Sequence, residues 1–256
     1  MVQGVVAGNV QLRTCPNLHS TELPPGGVCL SVPHIYQMED WDCGLACSRM
    51  ILKFIHPETD DESPKFDEIC KKLGFGESIW TIDLAHLMVQ FNVKHQLYTI
   101  TLGVDPTYQE VDYYINVMKS EFVSEQQRVN NLFASAARRG IQVEKRSVTI
   151  AEIEHHLCGQ NPAIVLVDNT ILQCEWCRSE SNWQKGCGDC FPLSHSRKGG
   201  SFVGHFIVLC GFDKTKNRFL YRNPGISQEL CCCSFSNLDE ARQSHGTDED
   251  ILFIYR

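Results

Sequence analysis

The chain has 256 residues, 43% hydrophobic and 21% charged, with a net charge of -8 and a pI near 5.7. That size and balance suit a globular protein with a full core, and no segment has a disorder-like composition for long. An acidic chain without clustered Lys and Arg is a poor binder of phosphate backbones, so nucleic acid is not an expected partner. No apolar run approaches the roughly 20 residues a membrane helix needs, and the N-terminus lacks a basic-then-apolar signal pattern. The expected protein is soluble, touches no membrane, and resides in the cytoplasm, with the nucleus as the other compartment. In that reducing setting its 14 cysteines read as core residues, catalysts or metal ligands rather than disulfides.

Residues 1–30, with Pro16, Pro24, Pro25, Gly26 and Gly27, form the expected flexible segment, and residues 31–256 a single domain. A first helix starts at Cys43 and runs through Leu45, Ala46, Met50, Ile51 and Phe54 to Ile55, capped by Asp42 or a neighbour, with Pro57 just beyond. Phe66, Ile69, Cys70 and Leu73 keep helical spacing up to Gly74. A third helix carries the stripe Leu84, Leu87, Met88 and Phe91, with Thr81 as its cap. Residues 93–102 alternate as a strand, 125–139 form a helix stopped by Gly140, and 141–147 form another strand. A helix over 149–158 leaves His155 and His156 as surface residues. Strands follow at 163–167, 202–212, 218–222 and 251–255. This order is α+β, with an N-terminal helical half packed on an antiparallel sheet.

Two stretches carry chemistry. Gln37 precedes Cys43 by six residues, and Cys43 opens an apolar helix, where unpaired N–H groups and the helix dipole favour a thiolate. Taken alone, a cysteine such as Cys43 is more often a small core residue than a catalyst. His205 then begins the longest apolar strand, and Asn223 ends the strand after the next hairpin. Paired strands lie about 4.8 Å apart, so an amide there can reach the imidazole. A thiol with an ordinary pKa of about 8.5 needs a base, the base needs a partner on its other nitrogen, and the developing oxyanion needs a donor. Cys43, His205, Asn223 and Gln37 are the candidates for those four roles.

The second stretch is Cys174-Glu175-Trp176-Cys177 and Cys187-Gly188-Asp189-Cys190, two grips with nine residues between them. Four thiolates make a closed tetrahedral shell, so Cys174, Cys177, Cys187 and Cys190 are the expected ligands of a structural zinc ion in a Cys-rich insert over 170–200. His195 could replace one of them. Cys231-Cys232-Cys233 has no grip spacing and receives no role.

Gln37, Cys43, His205 and Asn223, in that order and with helices before the strand-borne His, resemble the papain-like fold, and within it the double-glycine peptidase domains of bacterial peptide exporters. Asn223 stands where those peptidases carry Asp, as it does in papain. The stretches Trp41-Asp42-Cys43-Gly44-Leu45-Ala46-Cys47, Ser78-Ile79-Trp80-Thr81-Ile82-Asp83-Leu84, Gly204-His205-Phe206-Ile207-Val208-Leu209 and Gly246-Thr247-Asp248-Glu249-Asp250-Ile251-Leu252 resemble a narrower family. This is the guanylyl-cyclase-domain-containing family of animals, with its plant soluble guanylyl cyclase relatives, over roughly residues 32–255.

The thiol constellation implies acyl transfer on an amide bond of a peptide or protein substrate. The family resemblance implies a cyclase that makes cyclic GMP from GTP with Mg²⁺. No Gly-rich phosphate loop or paired Asp motif accompanies the second reading, and Asp60, Asp61 and Glu62 read as a solvated loop. A non-catalytic protein-binding module is the third reading.

Overall fold

The computed structural model describes residues 26–58, 64–118, 122–178 and 202–256. Cys187, Cys190 and His195 lie outside these residues, as does most of the 1–30 segment. Gly27–Cys29, counted with that flexible segment in the sequence, forms strand β1.

Three helices come first: α1 (Cys43–Ile55), α2 (Pro64–Leu73) and α3 (Thr81–Gln90). Strand β2 (Lys94–Thr99) follows, then α4 (Asp112–Met118), α5 (Phe122–Ala136) and β3 (Gln142–Lys145). Next are α6 (Ile150–Cys158), β4 (Ala163–Asp168) and the short α7 (Glu175–Arg178). The chain closes with β5 (Gly204–Asp213), β6 (Arg218–Arg222), β7 (Cys231–Ser234), α8 (Phe235–Arg242) and β8 (Ile251–Tyr255).

The strands join in one sheet of order β3-β2-β8-β4-β5-β6-β7, with β1 added beside the end of β5. The fold is α+β as expected, but the sheet is mixed rather than antiparallel. β2 and β3 run parallel, Gln96 opposite Gln142, because the chain between them makes a helical crossover through α4 and α5. A hairpin turn cannot join parallel neighbours, whereas a crossover of this length can.

β5 is the spine. It is buried from His205 to Asp213, pairs with β4 and β1 on one edge and β6 on the other, and receives α1 and α6. Gly211 is required there, since a Cβ would lie 2.1 Å from the Val28 carbonyl oxygen. At Gly44 the first turn of α1 presses onto the same strand, where a Cβ would meet the Phe206 ring at 3.0 Å.

Two expected caps form differently. Asp42 turns back, and its carboxylate accepts from the backbone N–H of Met38 and Glu39 instead of capping α1. Thr81 is the first residue of α3, and Asp83 closes the end by accepting from Trp80 N–H at 2.9 Å. His156, expected at the surface, is buried, because its ring stacks on Phe253 at 3.9 Å and its Nε2 meets the Pro162 carbonyl. His155 is exposed as expected.

Candidate active site

Cys43 is the first residue of α1, and the helix is laid against β5 by the small Gly44. Its sulfur accepts from the backbone N–H groups of Phe206 and Gly44. The Phe206 N–H belongs to the peptide that joins His205 to Phe206, so the thiol sits against the start of β5, beside the histidine. His205 Nε2 contacts Asn223 Oδ1 at 2.8 Å, and the same oxygen accepts from Gly225 N–H at 2.9 Å. Asn223 follows β6 directly, and its carbonyl meets His34 Nε2 at 2.9 Å.

Gln37 joins them through the backbone, its N–H bonding Pro224 O at 2.9 Å. A Cβ at Gly225 would lie 3.3 Å from Gln37 Oε1, 3.4 Å from Asn223 Oδ1 and 3.4 Å from His205 Cε1, which puts the three side chains around one glycine. The four candidate residues therefore converge from α1, β5, the end of β6 and the segment before α1. Gln37 is oriented differently from expectation: Nε2 donates to Glu39 O at 2.7 Å, and the buried Oε1 has no partner among the described residues. One amide N–H is thus committed, leaving the second for an oxyanion.

The electrostatics also differ from the sequence expectation. Burial pushes the Cys43 thiol up to about 11, outweighing the hydrogen bonds from Phe206 and Gly44. Burial likewise lowers the His205 imidazole, against the contact with Asn223 that raises it. Both shifts favour the uncharged forms, thiol and neutral imidazole, over thiolate and imidazolium. His205 Nδ1 makes no hydrogen bond among the described residues and is the nitrogen left to take a proton.

A cleft of about 190 Å³ opens beside the thiol, lined by Cys43 with Trp41, Trp80, Tyr113, Phe206 and Gly204 among others. Asp40 and Glu77 add acid to its wall. Gly204 matters here, since a Cβ would crowd the Tyr113 ring at 3.2 Å. Behind the Trp80 wall, Arg128 binds Asp83 at 2.6 Å and Glu125 at 2.7 Å, while Trp80 Nε1 donates to Glu125 and to Ser78 Oγ. Sequence reasoning missed this brace, because Asp83 and Arg128 lie 45 residues apart.

Away from this cleft, the Sγ atoms of Cys174, Cys177 and Cys231 lie within 4.8 Å of one another, an arrangement that could hold a metal ion. Cys231 had no role in the sequence reading, yet β7 brings it to the Cys174–Cys177 grip. The other expected ligands, Cys187 and Cys190, lie outside the described residues. Among the described residues no helix is long and apolar enough to cross a membrane.

Comparison with known proteins gives the chain relatives. Guanylyl cyclase 1 of Arabidopsis thaliana is 37% identical over 233 residues, covering 90% of this chain and 77% of the relative. Among solved structures, a C39-like peptidase from Bacillus anthracis aligns with a TM-score of 0.44 and 13% identity, over 90% of this chain and 98% of that one. A likeness at that level decides nothing about this chain's chemistry. The profile of the family described as guanylylate cyclase matches residues 32–254. With seven-eighths of the chain inside that match and a curated relative well above 30% identity, the chain belongs to the guanylylate cyclase family.

Proposed function

We propose that the protein is a papain-like thiol enzyme that cleaves or transfers the acyl group of a peptide, isopeptide or related amide bond. The observation that carries this reading is the placement of the Cys43 sulfur on the His205–Phe206 peptide while His205 Nε2 is held by Asn223 at 2.8 Å.

In this reading the Cys43 S–H proton passes to His205 Nδ1 as the sulfur attacks the amide carbon. The carbonyl π pair moves to oxygen, and that oxyanion is met by the free N–H of the Gln37 amide. His205 returns the proton to the leaving nitrogen as the C–N bond breaks and a thioester forms. Water, deprotonated by the same imidazole, then releases the acid and restores the thiol. Asn223 keeps the proton of the neutral ring on Nε2, which leaves the lone pair on Nδ1. Trp41, Trp80 and Tyr113 supply apolar walls for the residue flanking the amide, and Asp40 and Glu77 favour a substrate without negative charge there.

The names of the family and of its Arabidopsis relative carry a second reading, cyclisation of GTP. That chemistry needs carboxylates open to divalent cations. Asp248 and Asp250, two residues apart, are both buried, and burial holds both carboxyls above their ordinary range.

The test is hydrolysis of a fluorogenic peptide library, with GTP plus Mg²⁺ run in parallel, on the wild type and on Cys43→Ala and His205→Ala. Peptide turnover lost in both variants supports the thiol reading. GTP turnover that persists in Cys43→Ala overturns it in favour of the cyclase. An inert chain with both substrates points to a protein-binding module.

A further inference from the structure

The cysteine cluster stands apart from the thiol cleft and joins two parts of the chain that are far apart in sequence. Cys174 and Cys177 sit on and just before α7, in the segment after β4. Cys231 is the first residue of β7 and lies opposite Tyr221 of β6, two residues before Asn223. The segment 223–230, which carries Asn223 and Gly225, is therefore anchored at one end by β6 and at the other by Cys231.

Sulfur ligands at 2.3 Å from a tetrahedral ion lie about 3.8 Å apart, within the 4.8 Å that bounds these three Sγ atoms. The surroundings suit thiolates. Cys174 Sγ faces the thiols of Cys177 and Cys231 and the backbone N–H groups of Cys177 and Cys232. Cys174 and Cys177 are half-buried and Cys231 is buried, so the site has a protein wall behind it and an approach from the α7 side. The adjoining ion pair between Arg218 and Glu175, at 2.5 Å, fixes α7 against β6 beside the cluster.

We propose that Cys174, Cys177 and Cys231 bind one zinc ion as thiolates, and that this ion clamps the start of β7 to α7 and so holds the Asn223-bearing segment in place. Three thiolates leave one position of a tetrahedral ion for a donor outside this set. The role is structural, because the cluster is separate from the residues that line the cleft. Zinc is the ion favoured by a thiolate grip of this size, with no need for a redox partner.

The experiment is metal analysis of the purified full-length chain, with Co²⁺ titration as a spectroscopic readout and hydrogen exchange over 223–231. One zinc per chain is expected. Cobalt should give a sulfur-to-metal charge-transfer band of thiolate ligation, and chelation should speed exchange in 223–231 at least tenfold. Cys177→Ser, at a half-buried position, and Cys231→Ser should each lower zinc affinity at least tenfold, while the exposed Cys158→Ser should not. A folded Cys231→Ser that keeps wild-type zinc affinity overturns the assignment. So does a fully reduced wild type that takes up neither zinc nor cobalt, or a disulfide among the three in freshly isolated protein. Should Cys231→Ser fail to fold, Cys177→Ser and the cobalt band of the wild type still decide. None of these readouts depends on Cys43, so failure of the thiol mechanism leaves this test intact.

Discussion

His205 Nε2 and Asn223 Oδ1 meet at 2.8 Å, and Gly225 N–H points at the same oxygen from 2.9 Å. The amide oxygen is thus doubly engaged, which fixes it as an acceptor and fixes the ring proton on Nε2. In Asn223→Ala the ring loses its tether and the buried Gly225 N–H loses its partner. Amide turnover should fall by about 10²-fold, with a stability cost of about 1–3 kcal/mol. Asn223→Asp should keep the tether and add a negative charge, which favours the imidazolium. The acid limb of kcat/KM should therefore move to higher pH in Asn223→Asp. An acid limb that stays in place would mean that His205 is not the base it reports.

The resting charges set a second expectation. With the Cys43 thiol pushed up to about 11 by burial, about one thiol in ten thousand is ionised at pH 7. Alkylation by iodoacetamide, followed at Cys43 by mass spectrometry, should keep rising past pH 9. Catalysis instead needs only a neutral His205, whose pKa burial lowers, so kcat/KM should be flat from pH 7 upward to the alkaline limit of folding. If alkylation reaches its plateau by pH 7 and loses it in His205→Ala, the site is a preformed ion pair and the neutral-pair account is wrong.

The wall of the cleft carries a third expectation. Asp83 is 1% exposed and its charge is matched by Arg128, which also binds Glu125 and thereby holds the partner of Trp80 Nε1. Arg128→Met leaves two carboxylates together without a cation, one of them buried. Urea unfolding should show a loss of about 3 kcal/mol at unchanged m value. Asp83→Asn with Arg128→Met should recover part of it, because the buried charge goes as well. A double variant as unstable as Arg128→Met would place the cost in lost packing of the arginine stem.

Three of the four candidate residues carry a local signature in the sequence: a cysteine at a helix start, a histidine opening an apolar strand, an Asn-Pro-Gly stop. What was not legible arose from partners far along the chain. The alternation of strand, helix and strand across residues 93–147 did carry the signal for a parallel β2–β3 pair, and it was outweighed by the all-antiparallel order of the later strands. Cys231 receives no role in the sequence, since only the register of β6 with β7 brings it to Cys174 and Cys177. Gln37 Oε1 lies beside Gly225 with His205 and Asn223, while the carbonyl of Glu39 two residues on engages its amide N–H. Asp42 likewise looked like a helix cap and is drawn back to Met38 and Glu39 by the tight turn before α1. Local polar groups chose among several near neighbours, and periodicity does not rank those.

His156 links the fold to pH. Adjacent to His155 on α6, it looked like one of two surface histidines, yet its ring stacks on Phe253 at 3.9 Å and its Nε2 meets Pro162 O at 3.0 Å. Burial pushes its pKa down to about 4, against the pull of the Pro162 carbonyl. The unfolded imidazole takes a proton below about pH 6.5, whereas the folded one stays neutral until about 4. Between those values the unfolded chain holds more protons, so stability is fully present above pH 6.5 and falls as the pH drops toward 4. Going from pH 7 to 5, this one group should cost about 2 kcal/mol. His86, His95 and His205 are lowered by burial as well and add losses of the same sign. His156→Phe keeps an aromatic ring on Phe253, and Pro162 O still accepts from Ile254 N–H at 3.1 Å. Guanidinium unfolding at pH 7 and 5 should therefore show a smaller acid loss in His156→Phe than in the wild type, by about 2 kcal/mol, with the residual slope left to the other three. Equal acid losses in the two proteins would mean that His156 titrates in the folded state much as it does in the unfolded chain, and that its stacked, buried position costs the imidazolium nothing.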